Sequence, residues 1–284
     1  MKDDTRGKPA VIIPLDGSEI AVRAFGAAQA IAKIMGATLH IVHVAEEMLS
    51  EKELVERLKI KRIEVRDFSM HQIIGVDVAD AILRFTTKVD TRLIVMSSHG
   101  WTYNPEYLLG SITTELVQRA VNPVMVIRPD IEKLPDPNWK PLKMLVPQDG
   151  TPIAAAVMVQ VFELAKLMKL DIDVLNIGVI GEKPSAEVGA LPPPRYLDYP
   201  RYDWPAWATE FIERFYAQRS PEVKLRLFER EGEPAQVMVD FAEENGDDFI
   251  ALGWHGHLGK GRAKTVKQLL RIAKTPVVLI WSRE

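Results

Sequence analysis

Residues 92–113, RLIVMSSHGWTYNPEYLLGSIT, hold an apolar run, a glycine at position 100 and a second glycine at position 110. The apolar residues 93–96 are typical of a buried strand. Gly110 and Ser111 open the pattern SITTELVQRAV, which predicts an amphipathic helix. The segment therefore predicts a strand, a loop of nine residues between the two glycines, and a helix.

This loop falls where open parallel sheets bind ligands, beyond the carboxyl end of a strand. The first amides of a helix lack partners within the helix and carry partial positive charge, so they attract anions. Gly100 would let a ligand approach the main chain, and the Ser111 hydroxyl would add a donor. A glycine turn and a capped helix without a ligand are the alternative.

The pattern recurs because the chain repeats itself. Residues 11–44 resemble residues 144–177, residues 90–100 resemble 247–256, and residues 116–129 resemble 269–282. Each half shows strand, helix, strand, a variable segment, then helix, strand, helix and strand. Strands that are continuous apolar runs and alternate with helices predict an α/β fold with a parallel sheet covered on both faces.

The repeat divides the chain into two predicted domains. We expect a first domain at 1–130, a linker at 131–141 that contains three prolines, and a second domain at 142–284. Residues 181–207 include six prolines and have no counterpart in the first half. The composition of this insertion predicts an extended surface loop that is held in place by its aromatic side chains. The alternatives are a lid or partner-binding segment, and a disordered segment.

The composition excludes several functions. The 284 residues carry a formal net charge of −3 and no cysteine. A thiol nucleophile, a disulfide and a cysteine-based metal site are therefore excluded. The charge gives no reason to expect nucleic acid or an anionic membrane as a partner. The apolar runs are of strand length, so we expect a cytoplasmic protein without a membrane span.

The glycine loop also resembles the nucleotide motif of the universal stress protein family: Gly, two residues, Gly, nine residues, Gly, then Ser or Thr. Asp16-Gly17-Ser18 after the first strand, His43-Val44 at the end of the second, and residues 122–127, NPVMVI, match that family too. The resemblance covers both halves. It implies two tandem flavodoxin-like or adenine-nucleotide-hydrolase-like domains, each a five-stranded, mostly parallel sheet with helices on both faces.

The resemblance further implies an adenine-nucleotide site in the first domain for ATP, with or without Mg²⁺. Asp16 would accept from the base or ribose, or help to place Mg²⁺. Ser97 stands where the family has its first glycine, and its side chain would crowd the ligand or hydrogen-bond the ribose. The implied site residues shape the strand exit, line the adenine and ribose end, or form the phosphate loop: Pro14, Asp16, Val44, Ser97, Gly100, Gly110, Ser111 and Ile112.

The second half departs from the motif in another way. Gly253 and Gly256 restore the glycine pair, but the following loop is shorter by three residues, and Ala263-Lys264 replaces Gly-Ser. Two interpretations remain. The site is lost because the loop is too short, or cationic side chains in and after the loop bind a smaller anion or a different nucleotide: Lys260, Arg262 and Lys264.

These features predict a stress-response protein that binds ATP or a related adenine nucleotide and regulates rather than catalyses. No residue resembles a general base beside the phosphates, so we expect a weak ATPase at most, with no catalytic or metal-ligating residue assigned. A protein-interaction scaffold, and a slow ATPase or nucleotidyl transferase, are the alternatives.

Two further features are common to the halves. The apolar last strands predict that the two halves associate. The family resemblance implies that the chain is an intrachain pseudo-dimer, and a homodimer of two chains is a further expectation. His99 and His255 recur at equivalent positions, which predicts a structural role in hydrogen-bonding the loop after the strand.

Overall fold

The computed structural model describes residues 7–60, 65–101, 107–148, 156–178, 209–210, 212–213, 222–254, 256, 258 and 263–282. Contacts between residues divide the chain into two compact units. The first contains residues 1–140 and 273–279, and the second contains residues 141–272 and 280–284. The insertion at 181–207, His255 and most of the short loop after it lie outside the described residues.

The first unit contains a parallel sheet of five strands, β1 to β5. They are Pro9–Pro14, Thr38–Ala45, Phe68–Ile74, Asp90–Ser97 and Val124–Ile127. Their order is β3-β2-β1-β4-β5, and each neighbouring pair is parallel. The order reverses between β1 and β4, which is the point where such sheets bind ligands. The central strands are buried along almost their whole length, as apolar strands covered on both faces should be.

Five helices of the first unit begin at sites that the sequence provides. They are α1 Glu19–Val22, α2 Phe25–Met35, α3 Glu51–Leu58, α4 Val78–Thr86 and α5 Ser111–Arg119. Ser18 caps α1 by accepting from the amide of Ala21 at 3.0 Å, and Asp77 caps α4 by accepting from the amide of Asp80 at 2.8 Å. Such caps satisfy amides that the helix itself cannot pair. The helix expected from residue 18 onward is thus divided into α1 and α2.

The proline-rich segment between the predicted domains packs on the first unit. The described residues 131–141 form neither helix nor strand. Lys33 of α2 donates from Nζ to the carbonyl oxygen of Pro137 at 3.0 Å. Gly26 of α2 lies so close that a Cβ there would approach the carbonyl oxygen of Pro135 to 2.5 Å. The contact division accordingly assigns these residues, up to Lys140, to the first unit.

The second half repeats this arrangement with strands β6 to β10. They are Lys143–Gln148, Asp171–Gly178, Leu225–Glu231, Phe249–Trp254 and Val277–Trp281. Strand β6 pairs in parallel with β7 and β9, and β7 pairs in parallel with β8. The described helices are α6 Met158–Met168, α7 Pro234–Asn245 and α8 Lys264–Ile272. The predicted α/β fold is confirmed.

The end of the chain is shared between the two units. Residues 273–279 belong to the first unit, since three residues of β10 pair antiparallel with β5: Val277 with Val126, Val278 with Met125, and Leu279 with Val124. The residues that follow belong to the second unit, where the amide of Ser282 donates to the carbonyl oxygen of Trp254 at 3.0 Å.

A buried cluster of charges lies near the amino ends of the strands in the second unit. Asp173 of β7 is fully buried and accepts from Nε and Nη2 of Arg226 at 2.7 and 2.6 Å. Lys143 Nζ lies 3.8 Å from the same carboxylate. Asp247 is 3% exposed, and neither of its carboxylate oxygens has a hydrogen-bond partner among the described residues. Burial, and the nearby negative charge of Asp173, raise the pKa of Asp247 to about 7.

Candidate functional site

A cavity of about 210 Å³ opens at the carboxyl edge of the sheet in the first unit. It is enclosed by the ends of β1, β2 and β4, by α1 and α4, and by the first turn of α5. All eight residues implied by the family resemblance line it: Pro14, Asp16, Val44, Ser97, Gly100, Gly110, Ser111 and Ile112. Residues up to 98 positions apart in sequence therefore meet at one place, because the parallel strands end at the same edge.

Much of the cavity lining is apolar. Val42 and Val44 of β2, Val78 and Ile82 of α4, and Met96 of β4 contribute to its wall. Val78 and Ile82 are four residues apart on a helix, so their side chains lie on one face and point at the same surface. Apolar walls with a few polar groups are typical of sites for small organic ligands.

The amino terminus of α5 also forms part of the cavity lining. Gly110 is the N-cap, with φ −63° and ψ 161°, and its amide donates to the carbonyl oxygen of Ser98 at 2.8 Å. The next three amides, of residues 111–113, have no acceptor among the described residues. All three residues line the cavity. The first turn of α5 thus offers three donors and the positive end of a helix dipole to an anion.

Asp16 connects the loop after β1 to the loop after β4. Its Oδ1 accepts from the amide of Ser18 at 2.8 Å, and its Oδ2 accepts from the amide of Trp101 at 3.2 Å. The indole of Trp101 donates to the carbonyl oxygen of Asp16 at 2.9 Å. A Cβ at position 100 would overlap Oδ2 of Asp16. A side chain at position 100 would therefore have to displace the carboxylate of Asp16 from its present position.

Ser97 brings a buried hydroxyl to the cavity wall. The residue is 4% exposed, and within the described part of the chain its Oγ has no hydrogen-bond partner. Its carbonyl oxygen accepts from Oγ1 of Thr113 at 3.1 Å, which joins the end of β4 to the first turn of α5. A buried hydroxyl without a partner is costly, so this group is suited to a hydrogen bond with a ligand.

The second unit differs at the equivalent position. Gly253 corresponds to Ser97, and a Cβ there would lie 2.8 Å from Cγ1 of Val157. Val157 is buried at the start of α6, where the first unit has the smaller Ala24. A protein side chain thus occupies the space beside this glycine. The observation favours loss of the site in the second half; Lys260 and Arg262, which the alternative needs, lie outside the described residues.

His99 forms the hydrogen bonds that the repeated histidines predict. Its Nδ1 lies 2.9 Å from Oγ of Ser98, and its Nε2 lies 3.0 Å from the carbonyl oxygen of Tyr107. Burial is the main cause that holds the pKa of His99 below its usual range. The predicted structural role of His99 is confirmed, whereas His255 lies outside the described residues.

Several lining residues were not predicted from the sequence. Helix α4 contributes Val78 and Ile82, and Trp101, 63% exposed, stands at the rim. The periodicity of α4 indicated an amphipathic helix, but the part of its apolar face that lines a cavity depends on the strand order. The others are Leu15, Ala21, Val42, Met96, His99 and Thr113.

Among the described residues, the histidine, aspartate and glutamate side chains form no group of three or more that could hold a metal ion. None of the helices in the described part of the chain is both long and apolar enough to cross a membrane.

Comparison with protein families identifies the class. The model of the Universal stress protein family matches residues 9–128 and, a second time, residues 142–280. This chain belongs to the universal stress protein family and contains two copies of its domain in tandem. The family resemblance drawn from the glycine motif is confirmed.

Individual relatives are distant. A universal stress protein of Mycolicibacterium smegmatis is 23% identical over 204 residues, which are 68% of this chain and 62% of that protein. The match thus spans less than two thirds of the relative. A functionally unknown protein from Pseudomonas aeruginosa PAO1 has a TM-score of 0.63 at 16% identity, over 97% of this chain and 93% of that one. A universal stress protein from Archaeoglobus fulgidus has a TM-score of 0.60 at 14% identity, over 97% of both chains. These structural likenesses show the fold.

Proposed function

We propose that the first unit binds ATP or a related adenine nucleotide, and that binding regulates the protein rather than starting a rapid reaction. The observation that carries this proposal is the convergence of all eight motif residues on one cavity. The cavity lining combines two features that a nucleotide requires. The apolar side chains suit the base, and the first turn of α5 suits a phosphate.

Three polar features support the placement of a nucleotide. The amides of residues 111–113 would donate to phosphate oxygens, because nothing in the described part of the chain accepts from them. The hydroxyl of Ser97 is buried without a partner and would hydrogen-bond the ribose. Asp16, whose carboxylate oxygens each keep a lone pair beyond their amide contacts, would accept from the base or ribose.

Mg²⁺ would add positive charge beside the phosphates. Proteins usually hold Mg²⁺ through one or two carboxylates together with the phosphates of the substrate. Asp16 is the carboxylate that lines the cavity, so it is the residue that would hold the ion. The chain would then contribute one ligand to the ion.

Thermal unfolding with and without nucleotide tests the proposal. A ligand at 100 times its dissociation constant stabilises the folded state by about 2.7 kcal/mol. For a domain of this size, that stabilisation raises the melting temperature by roughly 5–15 °C. We expect such a rise with ATP and Mg²⁺ at millimolar concentration. An unchanged melting temperature at saturating nucleotide would contradict the proposal.

Two glycine variants locate the site. A Cβ at Gly110 would lie 3.5 Å from Cα of His99, an ordinary contact, so Gly110→Ala should fold. Its added methyl group would narrow the cavity wall beside the α5 amides, and we expect nucleotide affinity to fall at least tenfold. Gly178→Ala is the matched control, because its Cβ would also meet its nearest neighbour at 3.5 Å and lies outside the cavity lining. Equal binding by both variants would place the site elsewhere.

The wider role follows from the family. We propose a cytoplasmic stress-response protein whose conformation or partner choice depends on nucleotide. Association through the last strands stays a prediction. Sedimentation with and without ATP would test whether nucleotide changes the oligomeric state.

A further inference from the structure

His99 links the start of the loop between Gly100 and Gly110 to the end of that loop, where the chain approaches α5. The residue is 7% exposed and lies directly before Gly100. Its Nε2 lies 3.0 Å from the carbonyl oxygen of Tyr107, and a carbonyl oxygen can only accept. Nε2 must therefore carry the proton. In the neutral ring Nδ1 is then an acceptor, and it takes the hydroxyl proton of Ser98, whose Oγ is 2.9 Å away.

A second bond closes the base of the loop. The carbonyl oxygen of Ser98 accepts from the amide of Gly110 at 2.8 Å. Tyr107 precedes Gly110 by three residues, so the imidazole and this main-chain bond hold the same returning segment. The next three amides are those that line the cavity without an acceptor in the described chain. A shift of Tyr107 would therefore move the donors offered to a ligand.

The surroundings of His99 keep the ring neutral at pH 7. Burial is the main cause that lowers its pKa, and the charged neighbours Asp130 and Arg128 act on it in opposite directions. Asp130 and Arg128 are themselves paired, with Arg128 Nε donating to Asp130 Oδ1 at 2.9 Å. In the folded protein, the imidazole of His99 is thus the neutral tautomer with its proton on Nε2.

We propose that His99 is a positioning residue for phosphate binding: by donating to the carbonyl oxygen of Tyr107 it fixes the return of the glycine loop and the direction of the amides at residues 111–113. This role rests on the proposed nucleotide site. His99 does not need to touch the ligand, since it acts through the loop it holds.

Two variants distinguish the contributions of the two ring nitrogens of His99. His99→Gln places an amide N–H near the position of Nε2 and keeps a donor for Tyr107. His99→Asn places its amide near Nδ1 and loses that donor. His40→Asn is the control for loss of a histidine elsewhere: His40 of β2 is bonded to His71 and does not line the cavity.

The experiment measures ATP affinity by calorimetry and, without ligand, amide hydrogen exchange over residues 107–113. We expect His99→Asn to bind at least tenfold more weakly and to exchange at least tenfold faster at Gly110. His99→Gln and His40→Asn should stay within threefold of the unsubstituted protein in both measurements. Equal behaviour of the two His99 variants, whether both intact or both impaired, would overturn the proposal.

The exchange measurement keeps this inference separate from the proposed function. If the unsubstituted protein binds no adenine nucleotide, both the proposed function and the positioning role of His99 in phosphate binding are wrong. The contact itself would still be tested: faster exchange in His99→Asn alone supports the hold on the loop, and unchanged exchange overturns it. Tight ATP binding by His99→Asn would overturn the positioning role and leave the proposed function standing.

Discussion

Asp247 of the second unit carries a carboxylate that the fold does not accommodate well in its charged form. It is buried beside the carboxylate of Asp173, and its oxygens have no donor among the described residues. Asp247→Asn removes the negative charge and provides an N–H that can donate to Asp173. We therefore predict that the variant is more stable than the unsubstituted protein above neutral pH.

The pKa of Asp247 sets the size and sign of the effect. It rises from 3.8 to about 7 on folding. At ~1.4 kcal/mol for each factor of ten, the ionised group destabilises the folded state by about 4 kcal/mol. The value of about 7 already includes the opposing effect of Lys143 and Arg226, and partial solvent screening reduces the expected gain to about 2–4 kcal/mol at pH 8. Between pH 4 and 7 the folded state holds more protons than the unfolded state, so this penalty grows as the pH rises.

Urea unfolding at pH 8 and at pH 4 measures the difference. At pH 4 Asp247 is protonated in the folded state, and we expect a gain below about 1 kcal/mol. Asp248→Asn is the matched control, because Oδ2 of Asp248 accepts from the amides of Leu142 and Lys143 at 2.7 and 3.1 Å. That variant should lose stability at pH 8. An Asp247→Asn variant no more stable than the unsubstituted protein at pH 8 would refute the reasoning.

Three further substitutions test local packing by thermal or urea unfolding. Gly253→Ser should lower the free energy of unfolding by about 1–3 kcal/mol, because the new side chain crowds Val157. Adding Val157→Ala to the same chain should restore most of that loss. No recovery in the double variant would mean that the two side chains do not meet. Gly100→Ala should lower the free energy of unfolding by about 1–3 kcal/mol, because it displaces the carboxylate of Asp16 from its amide donors. Unchanged stability of this variant would show that Asp16 has room to move. Asn176→Leu should leave stability equal or higher, because both polar side-chain atoms of Asn176 are buried without a partner among the described residues; a loss above ~1 kcal/mol would contradict this account.

The apolar strands and capped helices of each half could be predicted from the sequence. Strands such as β4 are continuous apolar runs with two buried faces, which is a strong signal. Strands β3 and β8 were not recognised from their own pattern, and the count of five came from the family resemblance. Both are half-exposed edge strands with polar residues, FSMHQII and LRLFERE, so neither shows a continuous apolar run.

The candidate site likewise has features that can be predicted from the sequence and features that cannot. Gly110 and the α5 amides follow from local sequence, because a helix start is a local event. The contact of Asp16 with Gly100 does not, since it joins residues 84 positions apart through the meeting of two loops. The close approach of Gly253 to Val157, which stand where the first unit has Ser97 and Ala24, likewise depends on packing between a strand end and a helix. It becomes visible only when the two units are compared.

A crystal structure grown with ATP and Mg²⁺ tests the central claim most directly. We predict a phosphate within hydrogen-bond distance of the amides of residues 111–113, with the base between Val44 and α4. A nucleotide bound elsewhere on the chain, or those three amides occupied by protein atoms at saturating ATP, would contradict it.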